Sequence, residues 1–299
     1  MILTVKKFEI NYKRNDLYQV GIFGEKLSHS LSPVFQNVAF KYCQIPALYE
    51  VWEFSKDELY ERVNLLRKPN SLGANVTIPY KELAYDMVDD LDETAKQIGA
   101  INTIVNNSGK LKGYNTDVSG FIRSLKEIAS FDPTGKNVLI LGAGGAARAA
   151  IFGLVNEKVN SITVANRTVD RAVKLINDFG VDQEIFSILS VYDEKISEIS
   201  LRADLIINAT SVGMKHSSME FESLLSPDQI PANCVVYDIV YNPLITPLLK
   251  SAQEAGAEII QGLWMLIFQG VDSFELWTGK SAPVQNMYQK AMEHFKSLG

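Results

Sequence analysis

NVLILGAGGAARAAIFGLV, residues 137–155, is the stretch on which the fold turns. NVLIL is an apolar run of strand length, and the residues after the glycines are good helix formers. Gly142, Gly144 and Ala147 fit G-x-G-x-x-A at the junction, the context in which that spacing carries meaning. The first glycine permits a tight turn, the second lets backbone approach a pyrophosphate, and the alanine lets the helix pack close to the sheet. Amides of Gly142, Ala143, Gly144, Gly145 and Ala146 would face the phosphates with the positive end of the helix dipole behind them. A tight turn with no ligand is the competing reading.

The alternation continues on both sides. SITVAN reads as the next strand and VDRAVKLINDFG as its helix, with further strands at ADLIINA and CVVYDIV and a helix at TPLLKSAQEAG. Asn166 follows Gly142 by 24 positions, where an NAD-specific site usually places an acidic residue on the ribose. Here the chain reads Asn166-Arg167-Thr168, with Arg171 one helical turn on. A guanidinium pairs with phosphate oxygens and stacks on an adenine face, so the expected cofactor is NADP. Asp170 is read as an outward helix residue, and surface arginines without a ligand are the alternative.

Before the FDPTGK turn cluster lies another α/β unit. LYQVGIF reads as a strand, 33–43 as a helix with Ser32 as N-cap, 47–54 as a strand, 56–66 as a helix and 72–78 as a strand. That βαβαβ succession favours a parallel sheet, followed by a hairpin from INTIVNN to KLKGYN and a helix over 118–130. In GANVTIPYKE, Pro79 stops the strand and leaves Lys81 just beyond its end, where side chains often face a cleft. Hydride transfer to a carbonyl needs a proton donor, which a lysine ammonium can be. Asp117 in GYNTD, also closing a strand-like run, would orient it. A solvated lysine opening a helix is the plain reading of Lys81 alone.

Composition sets the outer bounds. A chain of 299 residues suggests about two domains, and a net charge of −6 argues against non-specific nucleic-acid binding. No run approaches the ~18 apolar residues that a membrane span requires, and the charged start has no signal-peptide core. Cys43 and Cys234, far apart in apolar sequence, read as reduced thiols of a cytoplasmic protein. Three histidines without ligand spacing give no metal site.

GANVTIPYKE, GAINTI, GYNTDVSGF, GAGGAAR, NRT, NATSVGM, DIVYNPLITPLL and GLWMLIFQG stand in the order and spacing of the shikimate dehydrogenase family, which the chain resembles from residue 17 onward. The resemblance implies an α/β fold with an N-terminal substrate domain, a Rossmann-type doubly wound dinucleotide-binding domain and C-terminal helices that return to the first domain. The corresponding ranges are 1–117 with 262–299 for substrate and 118–261 for NADP. It implies NADPH-dependent reduction of 3-dehydroshikimate to shikimate in aromatic amino-acid biosynthesis, with Lys81 and Asp117 as the catalytic pair. Ser30 and Ser32 would hold the substrate carboxylate near Tyr241. Asn102, Asp117 and Gln269 would meet ring hydroxyls directly, Asn75 and Thr77 less so, and Gly262 would border the cofactor. The expected partner is a small molecule rather than nucleic acid or membrane, and the protein a monomer or homodimer.

Departures from the family pattern are Glu25-Lys26-Leu27, Gln36, Trp264 near the expected nicotinamide end, and the extension at residues 1–16. A quinate dehydrogenase using NAD or NADP is the alternative within the family, and a non-catalytic metabolite sensor the alternative outside it. The sensor reading is opposed by the presence of both Lys81 and Asp117.

Overall fold

The computed structural model describes residues 17–27, 30–179 and 183–298; the extension at 1–16 lies outside them. The chain opens with β1 (Tyr18–Gly24), α1 (Ser32–Tyr42), β2 (Ala47–Glu53), α2 (Leu59–Leu65) and β3 (Ser71–Val76), the predicted succession, with β1 pairing in parallel with β2 and β3. β4 (Asp90–Leu91) and α3 (Glu93–Ile98) precede the predicted hairpin of β5 (Thr103–Asn107) and β6 (Lys110–Tyr114). The sheet order is β2-β1-β3-β5-β6-β4, and β5 joins β3 antiparallel. The expected parallel sheet is therefore a mixed one, because a hairpin rather than a crossover supplies its later strands.

Two local differences bear on the site. β3 ends at Val76 rather than residue 78, so Thr77 to Lys81 form a turn beyond the strand. The N-cap of α1 is Leu31, and Ser32 is the first helical residue with no side-chain cap. The Ser32 hydroxyl is thus not committed to its own helix.

α4 (Asp117–Arg123) leads to the second sheet. The expected helix over 118–130 becomes π-helical at Ser124–Ile128, where the Ser124 hydroxyl donates to the Gly120 carbonyl at 2.6 Å and competes with the regular ladder. β7 (Asn137–Leu141), α5 (Gly145–Asn156), β8 (Ser161–Asn166), α6 (Val169–Asn177), β9 (Phe186–Ser190), α7 (Ile196–Ser200), β10 (Leu205–Asn208), β11 (Val235–Asp238), α8 (Pro247–Glu254) and β12 (Glu258–Gln261) follow. All strands pair in parallel, in the order β12-β11-β10-β7-β8-β9. This is the doubly wound order, and its direction reverses between β7 and β10, the point where such sheets bind ligands. β10 and β11 are buried throughout, as expected for strands covered on both faces.

The tail returns to the first sheet. α9 (Leu263–Thr278) and α10 (Val284–Leu298) bring Leu263, Ile267, Val271, Phe274, Met287 and Ala291 into one core with Val20, Phe35 and Phe40. Trp277 Nε1 donates to the Ile104 carbonyl at 2.9 Å, and Gln36 Nε2 to that of Gly270 at 2.8 Å. Trp264 lies face to face on Tyr288 with ring centroids 3.9 Å apart, so its indole joins α9 to α10. Cys43 and Cys234 are free thiols, the latter pushed up to about 12 by burial. No helix among the described residues is long and apolar enough to cross a membrane.

Phe274 is fully buried in this shared core, 5.1 Å from Phe40 between ring centroids. Phe274→Ala is expected to lower unfolding free energy by ~3–5 kcal/mol in urea titration. A loss under about 1 kcal/mol would make the tail an appendage rather than part of the first core.

Candidate active site

Lys81 and Asp117 come together beyond the same end of the first sheet, from the exits of β3 and β6, which run in the same direction. Lys81 stands in the turn after β3, fastened where its own carbonyl accepts the Ile101 amide at 3.0 Å. Asp117 is the first residue of α4, directly after β6 and its short exit loop. Lys81 Nζ donates to Asp117 Oδ2 at 2.6 Å, with side chains 27% and 16% exposed. A pair so placed is partly shielded from solvent, so its geometry is held better than that of an exposed surface pair, while both side chains stay partly accessible.

The other Asp117 oxygen is held from behind. Asn102 Nδ2 donates to Asp117 Oδ1 at 2.9 Å and to Thr116 Oγ1 at 2.9 Å, while Asn102 Oδ1 accepts the Thr116 amide at 2.8 Å. Gln269 reaches the group from α9, its Oε1 3.5 Å from Asn102 Nδ2. Gly120 permits that approach of α4 to α9, because a Cβ there would lie 2.7 Å from the Gln269 nitrogen. Asn75 is different: its amide is buried and bonded to Tyr49, Thr103, Ser273 and the Asn102 carbonyl. It braces the site from within, in keeping with a less direct role.

Around this centre, Ser32 is buried at the start of α1. The Ser30 hydroxyl accepts the Ser32 amide at 3.3 Å. Thr77 is half-buried beside Gly24. Tyr241, whose phenol burial pushes upward, follows β11 and packs with the core of the first sheet.

The second sheet offers its own site at the reversal point. Gly142 has φ +113°, and a Cβ there would lie 2.9 Å from the Ala209 carbonyl after β10, so only glycine fits the turn. Gly144 and Gly145 are exposed, and a Cβ on either would meet nothing within 4 Å. Open space over the N-terminus of a twelve-residue helix, flanked by Ala143 and Ala146, is a cradle of the size and polarity a pyrophosphate needs. At the end of β8, Asn166 Nδ2 donates to the Thr168 carbonyl at 2.7 Å. The Arg167 and Arg171 guanidiniums are exposed and have no ion-pair or hydrogen-bond partner among the described residues. Asp170 is exposed, as expected. Gly262 lies against the end of β11, where a Cβ would be 2.2 Å from the Ile239 carbonyl oxygen, so close packing by itself demands glycine there.

Several residues around the pair carried no signal in the sequence, although Thr103, Thr116 and Asp238 stand within the family motifs. Thr103 follows Asn102 in GAINTI and Thr116 precedes Asp117 in GYNTD; Ser273 lies one helical turn past Gln269. Asp238 is fully buried and accepts from Asn208, Val240 and Thr246. Burial pushes its carboxyl up to about 6 against those donors. These bonds tie the ends of β10 and β11 to the start of α8, fixing the loop that carries Tyr241.

Comparison with known proteins agrees with this architecture segment by segment. The profile of the shikimate dehydrogenase substrate-binding domain matches residues 22–104, that of shikimate/quinate 5-dehydrogenase residues 124–246, and that of the shikimate 5′-dehydrogenase C-terminal domain residues 262–292. Shikimate dehydrogenase (NADP(+)) of Methanopyrus kandleri is 42% identical over 278 residues, covering 93% of this chain and 96% of that protein. The chain belongs to the shikimate dehydrogenase family. Among solved structures of the family, Listeria monocytogenes shikimate 5-dehydrogenase, in complex with shikimate and NAD, superposes with a TM-score of 0.86 at 34% identity, covering 93% of this chain and 98% of that one. A quinate dehydrogenase from Corynebacterium glutamicum in complex with NAD gives 0.84 at 29% identity, with 93% and 99% covered.

Proposed function

We propose that this chain interconverts 3-dehydroshikimate and shikimate with NADP(H), Lys81 moving the proton and Asp117 holding it in place. The observation that carries the catalytic assignment is the Lys81–Asp117 contact at 2.6 Å, with Asn102 bonded to the opposite carboxylate oxygen. Residues 1–117 and 262–299 would serve the substrate and residues 118–261 the cofactor.

Bound NADPH supplies the hydride. Lys81 supplies the proton that the substrate's carbonyl oxygen takes up as it becomes a hydroxyl, and recovers it in the reverse direction. Asp117, anchored at Oδ1, accepts the ammonium at Oδ2 and keeps Nζ from rotating toward solvent. Asn102, Asp117 and Gln269 offer the bonding groups for ring hydroxyls, with Thr77 at the margin and Asn75 bracing from behind. Ser30, Ser32 and Tyr241 take the substrate carboxylate, since hydroxyl donors bind an anion without adding fixed charge. The backbone from Gly142 to Ala146 takes the pyrophosphate, with Gly262 bordering the cleft. Arg167 and Arg171, beside Asn166 and Thr168, take the 2′-phosphate; two guanidiniums after β8 with no partner among the described residues suit a dianion and leave a bare ribose diol without its usual carboxylate partner.

Lys81→Ala is expected to lower kcat by at least ~10²-fold with little change in KM, because the proton is needed in the transition state. A change confined to KM would refute the proton-donor role. Arg167→Ala is expected to raise KM for NADPH far more than KM for NADH. Equal effects on the two would remove the case for phosphate recognition.

A further inference from the structure

Behind the reacting pair runs a buried line of side chains that reaches from β2 to Asp117. Tyr49 Oη donates to Asn75 Oδ1 at 2.7 Å, and Asn75 Nδ2 donates to Thr103 Oγ1 at 3.0 Å. Thr103 Oγ1, which also shares a hydrogen bond with Ser273 Oγ at 2.8 Å that either hydroxyl can donate, donates to Asn102 Oδ1 at 3.1 Å, and Asn102 Nδ2 donates to Asp117 Oδ1 at 2.9 Å. Tyr49, Asn75, Thr103 and Asn102 are each no more than 5% exposed. In such a setting water cannot substitute for a missing partner, and successive donors polarise one another in one direction.

The direction matters for Asn102. A side-chain amide has one acceptor and one donor end, and either could face the carboxylate in an unconstrained site. Its oxygen is occupied by the Thr103 hydroxyl and the Thr116 amide, which leaves the NH₂ end toward Asp117. A reversed amide would set oxygen against carboxylate oxygen and free Asp117 to turn away from Lys81.

We infer that Thr103 is a positioning residue for the reaction: through its hydroxyl it locks the Asn102 amide, and through Asn102 it sets Asp117 against Lys81. Its side chain is fully buried and touches neither substrate nor Lys81. The inference rests on the assignment of Lys81 and Asp117 as the reacting pair.

The test compares Thr103→Val, Thr103→Ser and Lys81→Ala in one steady-state assay. Valine keeps the shape and removes the hydroxyl. Asn75 Nδ2 retains Ser273 Oγ at 2.9 Å and the Asn102 carbonyl at 3.2 Å as acceptors, so no donor is orphaned and the fold is expected to survive. Thr103→Val is expected to lower kcat roughly tenfold with KM for NADPH unchanged, and Thr103→Ser to restore kcat to near the parent value. Full activity in Thr103→Val, while Lys81→Ala is inactive, overturns the inference and leaves the reaction assignment standing. Equal losses in the valine and serine variants also overturn it, since the methyl rather than the hydroxyl would then matter. Full activity in Lys81→Ala removes the reading beneath both. If the valine variant does not fold, Thr103→Ala carries the same comparison.

Discussion

The contact between Lys81 and Asp117 is the constraint to which the rest of the structure answers. The lysine comes from the turn after β3 and the aspartate from the start of α4, so the pair closes only if both exits from the first sheet are held in place. β3 ends at Val76, the turn through Pro79 carries the lysine, and the Lys81 carbonyl is fastened to Ile101. Asn102 supplies the matching hold on the aspartate. The segment Ile101-Asn102 therefore anchors both members at once, one through its backbone and the other through a side chain.

The same aspartate begins the helix that leaves for the cofactor sheet, and α9 is the route by which the chain returns. These two helices lie against each other at Gly120, and Arg123 Nη1 pairs with Asp272 Oδ1 at 2.6 Å while stacking over Phe268. Burial raises the Asp272 carboxyl despite its guanidinium and Ser119 partners. Outward and return paths thus share one packed joint beside the reacting pair. The second sheet is tied in through Gly262, whose close fit to the end of β11 sets where α9 begins.

Much of this was legible in order and spacing. The strand–glycine–helix stretch at 137–155 declares a doubly wound sheet because each glycine has a steric task, and the Gly142 geometry bears that out. The Lys81–Asp117 pairing was legible as a need of the chemistry, each residue closing a strand-like run. What escaped has physical causes. α3 is six residues long and too short to show a period; it is held by the Asp92 cap and the left-handed Gly99. β9 is a half-buried edge strand without a clean apolar pattern. Thr103, Thr116 and Ser273 are ordinary small polar residues whose function arises only where three separate elements meet. Trp264, expected near the nicotinamide end, stacks on Tyr288 of α10, a partner no local pattern announces.

That the protein turns over shikimate with NADP is tested by absorbance at the nicotinamide band, with shikimate and quinate each crossed with NADP and NAD. The highest kcat/KM is expected for shikimate with NADP. A higher kcat/KM for quinate with NAD would contradict it, and folded protein inactive with all four pairs would contradict catalysis altogether.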